Sequence, residues 1–370
     1  MNSEFSADDL PRVETEIACL EDPALYRGYP VAELVENSTF SEVTYLLLHG
    51  ELPDAIHLAD FGAILAESVE IPPAVFEFLQ QVPFHAAPWE VLRTALGSLA
   101  VFDPQPGDGS LAAERARATR LVAQVPVLVA AWYRGCRGEE LIEPTSEGSF
   151  PGQLVELATG AYPEAEVERA IDALLVLTID VTIGPAALAA RAAAAGGADV
   201  SVAVIAAAAA EPDSGRSTLA ADILDTVVTA ARSRDPVTWA QRHLEADRAL
   251  PGFLSGSSPA VDPRTSILTG WCRRLAEATG RTRFDAAAGA VEVVAAERFG
   301  LVPRLEWPAV RLMHLAGLDA ELHMPMLAVS RLVGWATQAI EQRRRPVRFP
   351  QAGSYVGPAT RRPPPLDERG

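Results

Sequence analysis

The chain has 370 residues, 49% of them apolar, and a formal net charge of −18. Length and apolar content allow a large buried core and exclude a disordered chain, while the charge argues against nucleic acid or an anionic membrane as partner. No lysine occurs, so all 31 basic residues are arginine; three separated cysteines, Cys19, Cys136 and Cys272, suit reduced thiols in a cytoplasm better than a disulfide framework.

In chain order, Met1-Asn2-Ser3-Glu4-Phe5 is acidic and lacks an apolar run, so no signal peptide is predicted. Residues 13–20 and 25–29 flank Asp22-Pro23 and predict a small β-hairpin, the only strand signal in the chain. Thr39 and Glu42 make a capping box ahead of Val43, Leu46 and Leu47, with Pro53 beyond that helix. Pro72-Pro73 opens a helix carrying Val75, Phe76, Phe78 and Leu79. Trp89, Leu92, Leu96 and Leu99 recur at helical spacing up to Asp103-Pro104. A long helix runs from about Leu111 to Gly135, where Pro126 can bend it.

Residues 186–210 have the length of a membrane span but contain Arg191, Gly196-Gly197 and Asp199. They predict a tightly packed buried helix broken at the glycines, not a span. Further helices are expected over 164–177, 237–246, 264–278, 283–298, 307–315 and 325–343. Proline- and glycine-rich breaks fall at 105–109, 211–216, 251–263 and 349–365. The pattern is an all-α fold of many mid-length helices, and by itself it says nothing about function.

Tyr26-Arg27-Gly28-Tyr29-Pro30-Val31, the run from Ser38 to Pro53, and Phe102-Asp103-Pro104 resemble the N-terminal signature of bacterial citrate and 2-methylcitrate synthases. Ser330-Arg331-Leu332-Val333-Gly334-Trp335, Ile340-Glu341-Gln342 and Tyr355-Val356-Gly357-Pro358 resemble the C-terminal one. The resemblance implies an all-α, two-domain helical fold: a large domain over 1–217 and 317–370, and a small one over 218–316. It also implies condensation of an acyl-CoA with a 2-oxo acid, as in citrate formation in the tricarboxylic acid cycle. That chemistry needs a carboxylate base, a histidine at the enolate oxygen, a second histidine at the oxo-acid carbonyl, and arginines for carboxylates.

Aligned on the family motifs, the histidine positions are occupied by other residues. The oxo-acid segment keeps Asp180 but has Val181 for its binding histidine. The next motif places Arg216 at one catalytic histidine, and an arginine stays protonated and cannot act as a neutral acid. The third reads Gly252-Phe253-Leu254-Ser255-Gly256, with Ser255 at the other catalytic histidine and Gly256 where an arginine assists CoA. Arg304-Leu305-Glu306-Trp307 puts Glu306 at the base, one methylene longer than the family's aspartate; its plain reading is a helix-start glutamate. Arg264, in the intact Asp262-Pro263-Arg264, and Arg369 match substrate arginines. Arg348 matches a third only after a local shift, since the gapless register gives Pro350. A helix-start salt bridge for Arg264 and a solvated tail for Arg369 account for them equally well.

Of the histidines, His49 and His314 match family histidines away from the reaction centre. His85 reads as structural, His57 as exposed, and His243 as helix-surface. His323 is the remaining outsider for a site role. No metal-ligand spacing, phosphate loop or nucleophile motif occurs, so no resident cofactor is expected and a CoA thioester enters only as a ligand.

Two functions follow from the resemblance. One is a catalytically impaired or inactive homologue, regulatory or paired with an active relative as a mixed dimer. The other is a divergent acyl-CoA-condensing enzyme with Glu306 as base. A homodimer, a dicarboxylate or acyl-CoA ligand, a C-terminal segment embracing the partner subunit, and a cytoplasmic location accompany either.

Overall fold

The computed structural model describes residues 13–21, 23–83, 85–145, 147–179, 182–211, 218–246, 248–255, 262–346 and 349. It begins with a three-stranded antiparallel sheet of β1 (Ala18–Cys19), β2 (Leu25–Tyr26) and β3 (Tyr29–Pro30). Tyr26 pairs with Tyr29 around Arg27 and Gly28, both at positive φ (49° and 87°). A two-residue turn with this handedness matches the twist of its flanking strands. The single strand expected over 25–29 is therefore two strands and a turn.

Ten helices follow: α1 (Val31–Asn37), α2 (Phe40–His49), α3 (Ala55–Glu67), α4 (Pro73–Gln81), α5 (Pro88–Val101), α6 (Leu111–Arg137), α7 (Phe150–Thr159), α8 (Ala165–Leu177), α9 (Pro185–Ala195) and α10 (Val200–Ala210). The capping box at α2 is formed: the Glu42 N–H donates to Thr39 Oγ1 (3.3 Å) and the Thr39 N–H to the Glu42 carboxylate (2.7 Å). Helix α6 continues through Pro126 without interruption. The alanine-rich stretch is broken at Gly196-Gly197 into α9 and α10, whose small side chains let them pack closely on each other and on the last helix.

The second half comprises α11 (Leu219–Arg232), α12 (Pro236–Glu245), β4 (Phe253–Ser255), α13 (Pro263–Ala278), α14 (Thr282–Phe299), β5 (Leu301–Pro303), α15 (Glu306–Leu315) and α16 (Ala320–Arg344). Strands β4 and β5 pair antiparallel, Ser255 opposite Leu301. Strand signals are thus not confined to the start. Three-residue strands paired across two helices carry no alternation that a local reading can detect. Helices α11, α12 and α14 pack together, and α13 links them to α8 and α15.

Helix α16 is the axis of the molecule, buried from Leu322 to Gln342 and packed on α2, α5, α6, α9, α10 and α11. Apolar residues occur on every side of it, among buried polar ones such as Ser330, Arg331, Gln338 and Glu341. It starts five residues before Pro325, where the sequence places its beginning; the surrounding contacts keep the helix continuous although Pro325 gives up one backbone bond. Buried charges on it are paired. Arg191 of α9 donates to Gln338 Oε1 (2.6 Å) and pairs with Glu341, which also accepts the Thr15 hydroxyl (2.8 Å) and the Glu16 N–H (2.7 Å). The start of the described chain is thereby tied to the central helix. Among the described residues no helix is long and apolar enough to cross a membrane.

Candidate active site

The candidate site is built where α8, α15 and α16 meet, with the β4–β5 pair leading into α15. Strand β5 leads through Arg304 into α15, whose first residue is Glu306. The Arg304 N–H donates to the Gly252 carbonyl (2.8 Å), which fixes the start of α15 to the entrance of β4. Gly252 is required here. Its φ is +80°, and a Cβ would meet Ile223 Cδ1 at 3.0 Å and Trp307 Cβ at 3.4 Å. The neighbouring Phe253 ring packs edge-on against Trp307, 4.7 Å between centroids. Gly252→Ala is expected to cost about 1–2 kcal/mol from the left-handed backbone alone, read as a lower urea midpoint with unchanged slope.

Glu306 is 6% exposed. Arg331 Nη2 donates to its Oε1 at 2.7 Å, and Arg304 Nε lies 3.3 Å from its Oε2. Arg331 Nη1 in turn lies 3.0 Å from Glu211 Oε1, beyond the end of α10. Burial alone would push the Glu306 carboxyl up, but Arg331 and then Arg304 more than reverse that and hold it below the ordinary carboxylate range. A carboxylate stabilised in this way is a weaker proton acceptor.

Arg264 lies in the first turn of α13 and is 4% exposed. Its backbone N–H is capped by Asp262 (3.0 Å), and its Nε and Nη2 donate to the same carboxylate at 3.0 and 2.7 Å. Nη1 donates to the Tyr26 hydroxyl (3.2 Å) and the Ile179 carbonyl (2.9 Å). Burial opposes its charge, but Tyr26 and Asp262 overcome this and keep it fully protonated. The helix-start salt bridge is therefore present, and Arg264 also braces the first sheet and the end of α8. Thr178, at that same end, bonds to Ser330 (3.1 Å), next to Arg331. Arg264 and Glu306 are thus linked indirectly, through the end of α8 and Ser330-Arg331 of α16.

Ser255 is the last residue of β4, the strand held beside the start of α15. Arg216, Arg348, Arg369, Asp180, Val181 and Gly256 lie outside the described residues. Arg331 and Arg304 stand in the quoted motifs with no role assigned, and Glu211 in none; the structure groups all three around Glu306. The available signal was physical: a lone arginine inside the apolar run from Met324 to Val333 has to find a buried anion.

Among the described residues no histidine shares a hydrogen bond or ion pair with Glu306. His49 stacks on Tyr45 (4.1 Å between centroids), His57 bonds Asp54 (2.8 Å), and His243 stacks on Trp239 (4.8 Å). His314 lies 4.9 Å from the Phe284 ring, and His85 is exposed between α4 and α5. His323 is fully buried with Nε2 on the Leu318 carbonyl (2.9 Å). No group of three or more acidic, histidine or cysteine side chains among the described residues could hold a metal ion. The Cys272 thiol is pushed up to about 12 by burial, which leaves it inert.

A helical fold centred on one buried helix, with a carboxylate at a helix start between arginines, defines the class. The chain matches the family model described as citrate synthase, C-terminal domain, over residues 7–349. It is 28% identical to a 2-methylcitrate synthase of Shewanella oneidensis over 348 residues, covering 93% of this chain and 91% of that protein. It is also 28% identical to citrate synthase 2 of Bacillus subtilis, covering 95% and 94%. The crystal structure of citrate synthase from Pyrobaculum aerophilum superposes with a TM-score of 0.84 at 26% identity, covering 98% of this chain and 94% of that one. The citrate synthase of Thermoplasma acidophilum, in ternary complex with carboxymethyl coenzyme A and oxaloacetate, superposes at 0.85 over 98% of both chains; at 20% identity it speaks for the fold alone. The chain belongs to the citrate synthase family.

Proposed function

We propose that this family member keeps an anion-binding cleft and does not carry out the condensation of an acyl-CoA with a 2-oxo acid. The observation behind the reading is the state of Glu306. The carboxylate at the base position is clamped by Arg331 and Arg304 with its pKa lowered, and no histidine contacts it among the described residues. Valine, arginine and serine at positions 181, 216 and 255 add to this from the sequence, because none of them recovers a proton near neutrality.

In this reading Arg264 marks the dicarboxylate site, and residues 218–316 form the small domain beside the cleft. Arg216, Arg348 and Arg369 are candidates to complete the anion site. A second copy, or an active citrate synthase as a mixed partner, would cover the α5–α9–α10 face, where Val101, Phe102, Leu188 and Val202 are exposed. A cytoplasmic location fits the reading. The competing possibility is a divergent condensing enzyme with Glu306 as base; the placement of a carboxylate at the start of α15 beside β4 favours it.

The two readings separate on CoA release from acetyl- or propionyl-CoA mixed with oxaloacetate. The expected result is no release above the enzyme-free blank even at high protein concentration. Robust turnover abolished by Glu306→Ala would establish the divergent enzyme instead. Calorimetric titration with oxaloacetate tests the retained anion site: binding weakened by Arg264→Gln supports it, and no binding removes it.

A further inference from the structure

Away from the Glu306 cluster, α3, α6, α7 and α8 line a half-open cavity of about 530 Å³. This is the size of a small-molecule site and far larger than a packing defect that one water would fill. Its walls are apolar: Leu58 and Leu65 from α3, Val127 from α6, and Leu154 and Leu157 from α7. Pro126 also lines it, on the long helix that runs on through it.

Polar groups also line it, Ser149 and Gln153 at α7 and Thr39 and Ser41 at the start of α2 among them. Glu168 and Asp172, one turn apart on α8, both face the cavity, beside Ser41 and Arg169. Asp172 Oδ1 accepts the Phe40 N–H at 2.9 Å and has no other hydrogen-bond partner among the described residues. Its pKa is pushed up to about 6, first by burial and then by the like charges of Glu42 and Glu168. Arg169, the one cation there, is exposed and has its guanidinium 5.9 Å from the Trp271 ring. The Glu168 and Asp172 carboxylates, with Glu42 close enough to add its charge, stand against one exposed arginine and leave this side short of positive charge. Like charges four residues apart on a helix also repel, and a cation between them relieves that.

We propose that this cavity binds a small amphipathic amine, its apolar body between α3, α6 and α7 and its ammonium group between Asp172 and Glu168. The ammonium supplies the donors that the two carboxylates lack, and the body replaces water against leucine and valine walls. Along α8 the site lies towards the N-terminus from Thr178, Asp172 about 9 Å and Glu168 about 15 Å of helix away. It involves neither CoA nor an oxo acid, so its failure would leave the reading of the Glu306 cleft untouched.

The test is calorimetric titration of the full chain at pH 7.5 with 4-phenylbutylamine, 4-phenylbutanol and 5-phenylpentanoate. The amine should bind at least about tenfold more tightly than the alcohol, and the carboxylate should not bind. Asp172→Asn should bring the amine down to the level of the alcohol. Gly62 borders the cavity on α3, and open space surrounds the position of a Cβ there. Gly62→Leu should therefore abolish binding of both neutral and cationic probes without lowering the melting temperature, since leucine is the better helix former. No binding, equal binding of amine and alcohol, or binding that survives Gly62→Leu would each overturn the proposal.

Discussion

Arg331→Met lowers folding stability by about 3–5 kcal/mol at pH 7, the cost of stranding buried carboxylates without their cation. Two anions depend on Arg331, Glu306 at 2.7 Å and Glu211 at 3.0 Å, and both are buried. Arg304 remains near Glu306 but is more exposed and a longer 3.3 Å away, so it compensates only in part. Methionine matches the length and apolar character of the arginine stem, which confines the change to the charge. A second substitution, Glu306→Gln, removes one stranded charge and should recover a substantial part of the loss.

The loss also depends on pH. In the native chain the Glu306 pKa is lowered, so its contribution is present above the unfolded value near 4.5 and fades as pH falls through the native one. Without Arg331 the burial term dominates and the native pKa rises, so protonation relieves the strain. The difference between Arg331→Met and the native chain in urea denaturation should shrink from pH 7 to pH 4.5. A difference that stays constant, or single and double variants of equal stability, would mean that the ion pair is not what positions Glu306. The result bears on function because a carboxylate held this firmly for folding is poorly suited to receive a proton from a carbon acid.

How far the sequence disclosed this molecule depended on the range of the interactions. Local signals were readable: the Thr39–Glu42 box, the break at Gly196-Gly197, and the periodic apolar faces of α5, α6 and α13 are all encoded within a turn or two. The family resemblance carried the rest of the topology, because its N-terminal block includes α2, which packs on α16, and its C-terminal block includes α16 itself. Pairings across the chain were not readable. Arg27-Gly28 reads as strand until the positive φ values show a turn. Strands β4 and β5 are invisible until α13 and α14 bring them together. At the site, Glu306 and Arg264 were found by motif, but their partners Arg331, Glu211 and Tyr26 come from distant segments and need the fold to be seen. The same holds for the cavity: Asp172 is unremarkable in the α8 pattern, and only the fold brings Glu42 of α2 and the apolar wall of α3 to it.

Acid should destabilise the chain between about pH 6.5 and 4, chiefly through His323. This ring is fully buried, with Nε2 bonded to the Leu318 carbonyl and Nδ1 without a partner. The neutral tautomer with its proton on Nε2 satisfies the one available acceptor. Protonating Nδ1 would place a charge and an unpaired donor in the core. Burial accordingly pushes its pKa down to about 4. A histidine with a depressed native pKa binds fewer protons folded than unfolded, so its contribution is present above 6.5 and lost as pH falls towards 4. The full effect is about 3 kcal/mol, of which about 2 kcal/mol is lost by pH 5. His49, also pushed down to about 4 by burial and by Arg115, adds in the same direction, less so because it is partly exposed. Asp172 opposes them: its raised pKa of about 6 favours the folded state as pH falls towards 3.8. The decisive comparison is His323→Gln, whose amide can keep a donor on the Leu318 carbonyl but does not titrate. Between pH 7 and pH 5 the variant should lose about 2 kcal/mol less stability than the native chain in urea denaturation. Equal losses in the two proteins would assign the acid sensitivity to other groups.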